Sequence, residues 1–495
     1  MQASNIGKKI WNMAGTLRSS GMDDRSYLTQ ITYLLFLKMA DEYSKPPHDR
    51  DIGIPADCTW SDLVDKSGTE LETHYSSILE TLGTQSGILG QIYFGARNEI
   101  TTPAILSRVI DMINGATWSA MSSDVTGDIY EDLLEKIASD TKTKAGQYFT
   151  PRALIHTMIK CVQPAPGKTI ADPCCGSGGF LLAAKSYIED NHSANLDRNQ
   201  KEFLKFKTFF GWEFVPATYL LALMNLLLHG ISDFDHHPPI TRGDSLLADP
   251  GQRFDYVLTN PPFGTENTHT FTNEQGLEEK EDLTYNRQDF SATTSNKQLN
   301  FVQHIKTILA NTGTAAVVVP DNVLFESGAG ETIRKKLLKT TNLHTILKLP
   351  EGIFYAQGVK ANVIFFDNKP ASDIDHHTKE VWIYDYRTGI KHTLKRKPLK
   401  EADLIDFVTC YNPGNIDDRT ETYSRTNPNG RWRRFTYDEI ITRDKTSLDI
   451  TWIKLNEINL DEISLSDLIQ DIKAGASGIE KASEQLAQLF AHIDN

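Results

Sequence analysis

The run Lys168-Thr-Ile-Ala-Asp172, Pro173-Cys-Cys-Gly-Ser-Gly-Gly-Phe180 and then Leu181 to Ile188 leaves this chain few folds to choose from. A short apolar strand, a glycine turn and an apolar helical stretch form one unit of a doubly wound α/β sheet, where ligands bind beyond the carboxyl ends of the strands. Gly176, Gly178 and Gly179 let the backbone come close to such a ligand. Leu181 stands where a dinucleotide fingerprint has its third glycine, which weighs against a nicotinamide site.

Further strand ends carry polar residues of the right kind. Thr208-Phe-Phe-Gly-Trp-Glu213 reads as a second strand, followed by the apolar helix Pro216 to His229. An acid there can accept both hydroxyls of a ribose, so Glu213 is the candidate ribose ligand. Asp172 closes the first strand, and Asp244, in Thr241-Arg-Gly-Asp-Ser245, follows a third, where it can accept from an adenine amine of a cofactor. Gly-Asp-Ser is also ordinary turn chemistry. Upstream, Ala145-Gly-Gln-Tyr-Phe-Thr-Pro-Arg152 opens a predicted helix Ala153 to Val162, with Thr150 as N-cap and Pro151 at the first helical position. Free backbone donors at such a start face an anionic group.

The fourth strand, Phe254-Asp-Tyr-Val-Leu-Thr259, ends in Asn260-Pro-Pro-Phe263. This corner suits methyl transfer to an exocyclic amine. The nitrogen lone pair of an aromatic amine such as adenine N6 is drawn into the ring. Acceptors aimed at both N–H bonds favour a pyramidal nitrogen and free that pair; the Asn260 side-chain oxygen and the Pro261 carbonyl are the candidates. Pro261 and Pro262 stiffen the turn, and Phe263 offers a face on which a base can stack. A methylsulfonium donor brings its own electrophile, so the site needs orientation and dipoles more than a strong base.

The order of these motifs resembles the N6-adenine DNA methyltransferases whose cofactor motifs precede the catalytic one, and more narrowly the modification subunit of type I restriction-modification systems. Trp11-Asn-Met-Ala-Gly-Thr-Leu-Arg18, Leu34 to Met39, Val317 to Phe325 and Leu349 to Val359 share the likeness, which covers most of the chain and weakens over the last hundred or so residues. It implies a Rossmann-like S-adenosylmethionine-dependent methyltransferase sheet with an N-terminal all-helical domain and a C-terminal helical tail. It also implies that Gln147, Tyr148, Phe149, Thr150, Pro151, Arg152, Ser177, Gly178, Gly179 and Glu213 contact S-adenosylmethionine, and that Asn260, Pro261 and Phe263 hold a flipped adenine. The family's partners are DNA and a specificity subunit that reads the target sequence while two modification chains clasp it; a restriction subunit can join. Cys174-Cys175 stands where relatives often carry small residues, which leaves the role of the thiols open.

Charge fits that division of labour. At −14, the 495-residue chain is ill suited to hold a polyanion unaided. Lys391, Lys395-Arg-Lys397 and Arg431-Trp-Arg-Arg434 are the basic clusters that could touch phosphates, although solvated surface explains the first as well. Five cysteines without pairing logic, no apolar leader and no bilayer-length run point to a reduced, cytoplasmic protein with no membrane contact. The His236-His237 and His376-His377 pairs lack the spacing of a metal site, so no metal is expected.

Three parts are expected. Residues 1–140 form a helical domain for partner and DNA contacts, with Leu28, Ile31, Leu35 and Met39 at helical spacing; 141–410 form the catalytic sheet; 411–495 end in a helical tail. Apolar stripes at Leu465, Leu468, Ile469 and Ile472 and at Ile479, Ala482, Leu486 and Leu489 suit either a partner helix or packing within the chain. Thr265 to Asn300 is polar and reads as disordered or as a loop that orders on DNA. Two other functions share the corner motif: methylation of a protein glutamine amide or an RNA base, and an assembly protein that has lost turnover.

Overall fold

The computed structural model describes residues 15, 17, 22, 24–46, 48–50, 52–118, 150–234, 236–264, 268–272, 278–282, 284–354, 359–371, 375–394 and 397–454. It divides into two compact units, 1–451 and 452–495. The stripes predicted between Leu465 and Leu489, the segment Gln147 to Phe149 and most of Trp11 to Arg18 lie outside the described residues.

Among the described residues, the amino-terminal part is helical, with Asp24–Tyr43, Trp60–Val64, Gly68–Gly83, Gly87–Tyr93 and Pro103–Asn114 as its elements. The first is buried nearly all round, with polar Gln30, Thr32 and Asp41 included, and Leu28, Ile31, Leu35 and Met39 are all in the core. It packs against the apolar helix Pro216–Leu228 of the sheet region, whose own polar residues are few. Phe36 meets Phe234 edge-on at 6.0 Å, and the Tyr219 hydroxyl donates to Gln91 Oε1 at 2.5 Å.

Eleven strands are described. In chain order they are β1 (Ile170–Asp172), β2 (Phe209–Glu213), β3 (Ile240–Arg242), β4 (Phe254–Thr259), β5 (Thr268–Thr272), β6 (Glu278–Asp282), β7 (Leu309–Pro320), β8 (Thr341–Lys348), β9 (Ala361–Asn368), β10 (Glu380–Asp385) and β11 (Trp432–Thr436). Nine form one sheet in the order β11-β10-β8-β9-β7-β4-β1-β2-β3, and β5 pairs with β6 in a separate antiparallel hairpin. From β7 to β3 all pairs are parallel, while β9 and β11 run antiparallel to their neighbours. The chain runs outward from β1 through β2 to β3 and then returns to β4 on the other side of β1. That reversal is the topological switch point, and it puts the carboxyl ends of β1 and β4 side by side.

Two findings qualify the sequence reading. The polar run Thr265 to Asn300 is not featureless, since it contains the β5/β6 hairpin and the start of helix Lys297–Ile308. Hairpin pairing joins backbone to backbone, so it does not require the apolar alternation that marks a buried strand. Beyond residue 410, Trp432–Thr436 adds the edge strand of the main sheet, with Trp432 fully buried and stacked on Trp382 at 5.3 Å.

Candidate active site

Pairing between β1 and β4 is pinned at both ends. At entry, Asp255 Oδ2 accepts from the Thr169 amide at 2.9 Å and from its hydroxyl at 3.0 Å. At exit, the buried Thr259 hydroxyl donates to Asp172 Oδ1 at 2.6 Å, which also accepts from the Cys174 amide at 3.1 Å. Burial pushes the Asp172 carboxyl up to about 7, against the pull of these donors. Cys174 Sγ lies 2.9 Å from the same Thr259 oxygen, and burial drives its thiol well up, so it stays protonated. Cys175 packs beside β2: a Cβ on Gly211 would sit 3.1 Å from Cys175 Sγ and 2.6 Å from Ile240 Cγ2, which explains the glycine. Both cysteines are free thiols that fill the floor of the turn.

The glycine turn above this floor is shaped by left-handed backbone at Gly176 (φ 54°) and Gly178 (φ 87°). Its polar groups are held from several elements. Asn225 Nδ2 donates to the Ser177 carbonyl at 2.9 Å, and Ser245 Oγ to the Pro173 carbonyl at 2.7 Å. Gly179 begins helix Gly179–His192. Glu213, 6% exposed, accepts from the Gly176 amide at 3.1 Å through Oε2 and from the Val215 amide at 2.7 Å through Oε1. Burial raises its pKa, and the amides of Val215, Gly176 and Phe214 oppose that rise. Each carboxylate oxygen has more than one lone pair, so the carboxylate keeps acceptor capacity for a vicinal diol. Asp244 accepts from the Leu246 amide at 2.9 Å and from the Tyr285 hydroxyl at 2.6 Å. Phe214, next to Glu213, is 70% exposed. An acid pair beyond adjacent strands, an open aromatic face and a left-handed glycine turn fit the adenosine of S-adenosylmethionine.

At the end of β4, the Asn260 side chain lies between two loops. Its Nδ2 donates to Thr150 Oγ1 at 2.8 Å, while its Oδ1 is buried and has no hydrogen-bond partner among the described residues. Pro261 is buried, Pro262 is exposed, and Phe263 is half-buried with its ring edge-on to Phe354 at 5.2 Å. Thr150 corrects the expectation of an N-cap: the helix is Arg152–Val162, Pro151 takes the capping position, and no side chain caps the helix. The Thr150 hydroxyl instead accepts from Asn260 Nδ2. Gln147, Tyr148 and Phe149 are not described, so only Thr150, Pro151 and Arg152 of that loop are placed near the corner.

Several site neighbours escaped the sequence reading. Asn225 carried a signal, being an amide within the apolar helix Pro216–Leu228. Tyr285 and Gln298 carried none, because they reach the site from the far side of the polar insert. The second basic cluster is largely used within the fold. Arg431 donates to the carbonyls of Asp385 and Thr388, Arg433 lies over Tyr423 at 4.0 Å, and Arg434 pairs with Glu380 at 3.2 Å. Of the histidine pairs, His236 bonds Asp233 at 2.6 Å and His376 stacks on Tyr437 at 3.6 Å. Among the described residues no cluster of three or more His, Cys, Asp or Glu side chains is placed to hold a metal, and no helix is long and apolar enough to cross a membrane.

Comparison with known proteins agrees with this geometry. The profile described as N-6 DNA Methylase matches residues 121–447, and that of the HsdM N-terminal domain matches residues 6–113. The type I restriction enzyme StySPI methylase subunit of Salmonella potsdam is 37% identical over 529 aligned positions, covering 100% of this chain and 95% of the relative. The EcoKI methylase subunit of Escherichia coli K12 is 36% identical with the same coverage. A crystal structure of the EcoKI M protein superposes with a TM-score of 0.54 at 33% identity, covering 92% of this chain and 90% of that one. A structure from a study of complex assembly in the type I R-M system shares the fold at a TM-score of 0.73 and 24% identity, covering 99% and 98%. The chain belongs to the N-6 DNA methylase family, as an S-adenosylmethionine-dependent DNA adenine methyltransferase of the type I methylase-subunit kind.

Proposed function

We propose that this chain methylates N6 of a flipped adenine within a specific DNA sequence, as the modification subunit of a type I complex whose specificity subunit selects that sequence. Two modification chains would serve one specificity chain, and a restriction subunit would join the assembly. In the same reading, residues 1–140 meet partners and DNA, 141–410 carry the chemistry, 411–495 end in a tail for subunit contacts, and the complex works in the reducing cytoplasm, where five free thiols are at home.

The observation that carries this reading is Asn260 Oδ1, a buried acceptor without a partner among the described residues, on an amide whose other end is fixed by Thr150. A buried unsatisfied acceptor costs about 1–3 kcal/mol, and an incoming N–H would recover that loss. Next to it, the peptide after Pro261 is constrained by Pro262, which fixes the direction of a second acceptor, the Pro261 carbonyl. Together they would take both N6 hydrogens and turn the amine lone pair toward the donor. Phe263 would stack on the base, offsetting part of the cost of unstacking it from the duplex. Glu213 would hold the ribose hydroxyls, Asp244 the adenine amine, and the turn from Gly176 to Gly179 the backbone-facing part of the cofactor, with Thr150 to Arg152 closing over its methionine end. S-adenosylmethionine, held by these residues, would supply an electrophilic methyl group and a thioether leaving group that keeps the C–S electron pair, and the surplus proton on N6 would leave to solvent.

Transfer of labelled methyl from the donor to duplex DNA, RNA and protein, with a specificity subunit present, tests the reading. Label is expected in DNA adenine alone, and long-read sequencing of cellular DNA with and without the chain should show one methylated motif. Label in a protein glutamine or in RNA instead, or in none of the three, would overturn it.

A further inference from the structure

Two prolines do not by themselves make the corner rigid. Proline fixes φ, and a following proline restricts ψ, so the Pro261 carbonyl is set by Pro262. Pro262 is followed by Phe263 and then Gly264, so neither rule fixes its ψ or the peptide planes that aim the ring. Another group must do so.

Gln298 reaches that place from across the polar insert. It is the second residue of helix Lys297–Ile308 and is 2% exposed, and its Nε2 lies 2.6 Å from the Gly264 carbonyl oxygen and 3.3 Å from that of Pro262. These carbonyls flank Phe263. Only a donor suits a position between two carbonyls, so the amide can point only one way. The Oε1 of the same amide is buried without a hydrogen-bond partner among the described residues. Gln298 is thus held through its nitrogen, and both of its hydrogen bonds go to the segment that carries Phe263. The post that carries it is secured independently: Asn296 Oδ1 accepts from the Gln298 and Leu299 amides, and Asn296 Nδ2 donates to Glu326.

We propose that Gln298 is a positioning residue for methyl transfer. It holds the Pro262–Phe263 peptide and the carbonyl of Gly264, one residue beyond the ring, so that ring and corner face the base as one unit, and it closes the root of the insert carrying the β5/β6 hairpin. A change in that insert would then be felt at the corner through one side chain. This inference rests on the methylation reading given above.

The test uses the full chain with a specificity subunit and cognate duplex, in single-turnover transfer of labelled methyl. Q298M keeps length and removes the donor; its transfer step should slow about tenfold or more, since two neutral hydrogen bonds are lost. Donor affinity should stay within about twofold. Q298E places a carboxyl between two carbonyls, which disfavours its ionised form and raises its pKa. Relative to the unchanged chain at each pH, this variant should be deficient at about pH 8 and recover toward about pH 6, as the protonated acid donates again. A merely structural role would not give that recovery. Wild-type rates in Q298M, or a Q298E deficit that does not change with pH while donor binding persists, would overturn the assignment. Should Asn260→Ala transfer at full rate in the same assay, the methylation reading itself falls, and the two failures are thereby separated.

Discussion

The turns after β1 and β4 lie next to each other but are built oppositely. In the glycine turn the polar groups serve one another: Asp172 holds Thr259 and the Cys174 amide, Glu213 holds the Gly176 amide, and Asn225 and Ser245 hold the carbonyls of Ser177 and Pro173. In the corner after β4, two amides are each anchored by their nitrogen and leave a buried oxygen without a partner among the described residues, Asn260 by way of Thr150 and Gln298 by way of Pro262 and Gly264. A turn held in this way binds a ligand by shape and changes little when it binds. In the proposed reading, the corner keeps the Asn260 acceptor in place before the reaction, where it gains most from the charge that develops on a transferring amine. In the proposed reading one turn holds the donor and the other serves turnover.

That contrast can be broken most decisively at Asn260. Asn260→Ala should lower the rate of methyl transfer by on the order of 10²- to 10³-fold, the loss seen when one preorganised polar group is taken from a reacting centre. Donor affinity, measured by calorimetry, should be preserved, and a matching loss of affinity would mean that the two turns are not separable. Phe263→Ala removes a stacking face worth roughly 1–3 kcal/mol. The expected result is weaker capture of the extruded base, read as reduced fluorescence of 2-aminopurine at the target position and slower transfer.

On the holding side, Glu213→Gln keeps the shape but loses the charge of a diol acceptor. Donor dissociation should rise by roughly 10-fold or more, from hydrogen bonds to a charged group worth about 1.5–3 kcal/mol, while the rate at saturating donor changes little. A fall in that saturated rate with unchanged affinity would reverse the roles given to the two turns. Thr150→Val joins the two sides, since it frees the Asn260 amide to rotate; transfer should slow by a few-fold to about tenfold, and Thr150→Ser should restore it.

The smallest effect concerns stability. Asp172 has a folded pKa of about 7 against an ordinary 3.8, so the folded state holds its proton more tightly than the unfolded chain does. Its contribution is therefore complete below 3.8 and is lost as pH rises through about 7. Asp172→Asn keeps an acceptor for Thr259 and the Cys174 amide, and its melting temperature should fall less than that of the unchanged chain across this window. Parallel curves would show that burial does not hold the proton there.

Much of the site could be read along the chain because its motifs are local. Strand Phe254–Thr259 and the corner behind it, the strand Phe209–Glu213 with its terminal acid, and the glycine turn between Asp172 and helix Gly179–His192 each depend on neighbours within a few residues. Thr150 shows where this stops. Its sequence setting is that of an N-cap, but the hydroxyl meets Asn260, far along the chain. Tyr285 and Gln298 sit in or beside a segment whose polarity suggested disorder, and nothing in their immediate surroundings marks them. Arg431 and Arg434 look like phosphate ligands in sequence, yet their donors meet carbonyls and Glu380 when β11 joins the sheet.

The sequence alone determined the order of strands and turns, the acid and amide side chains offered at their ends, and hence the class of chemistry, because backbone conformation at glycine and proline and the alternation of apolar runs are local properties. Only the tertiary structure decided which of those polar atoms are satisfied and which are held ready. Hydrogen-bond partners are set by chain crossings at the switch point between β1 and β4, which bring Thr150 and Gln298 to one corner from opposite sides.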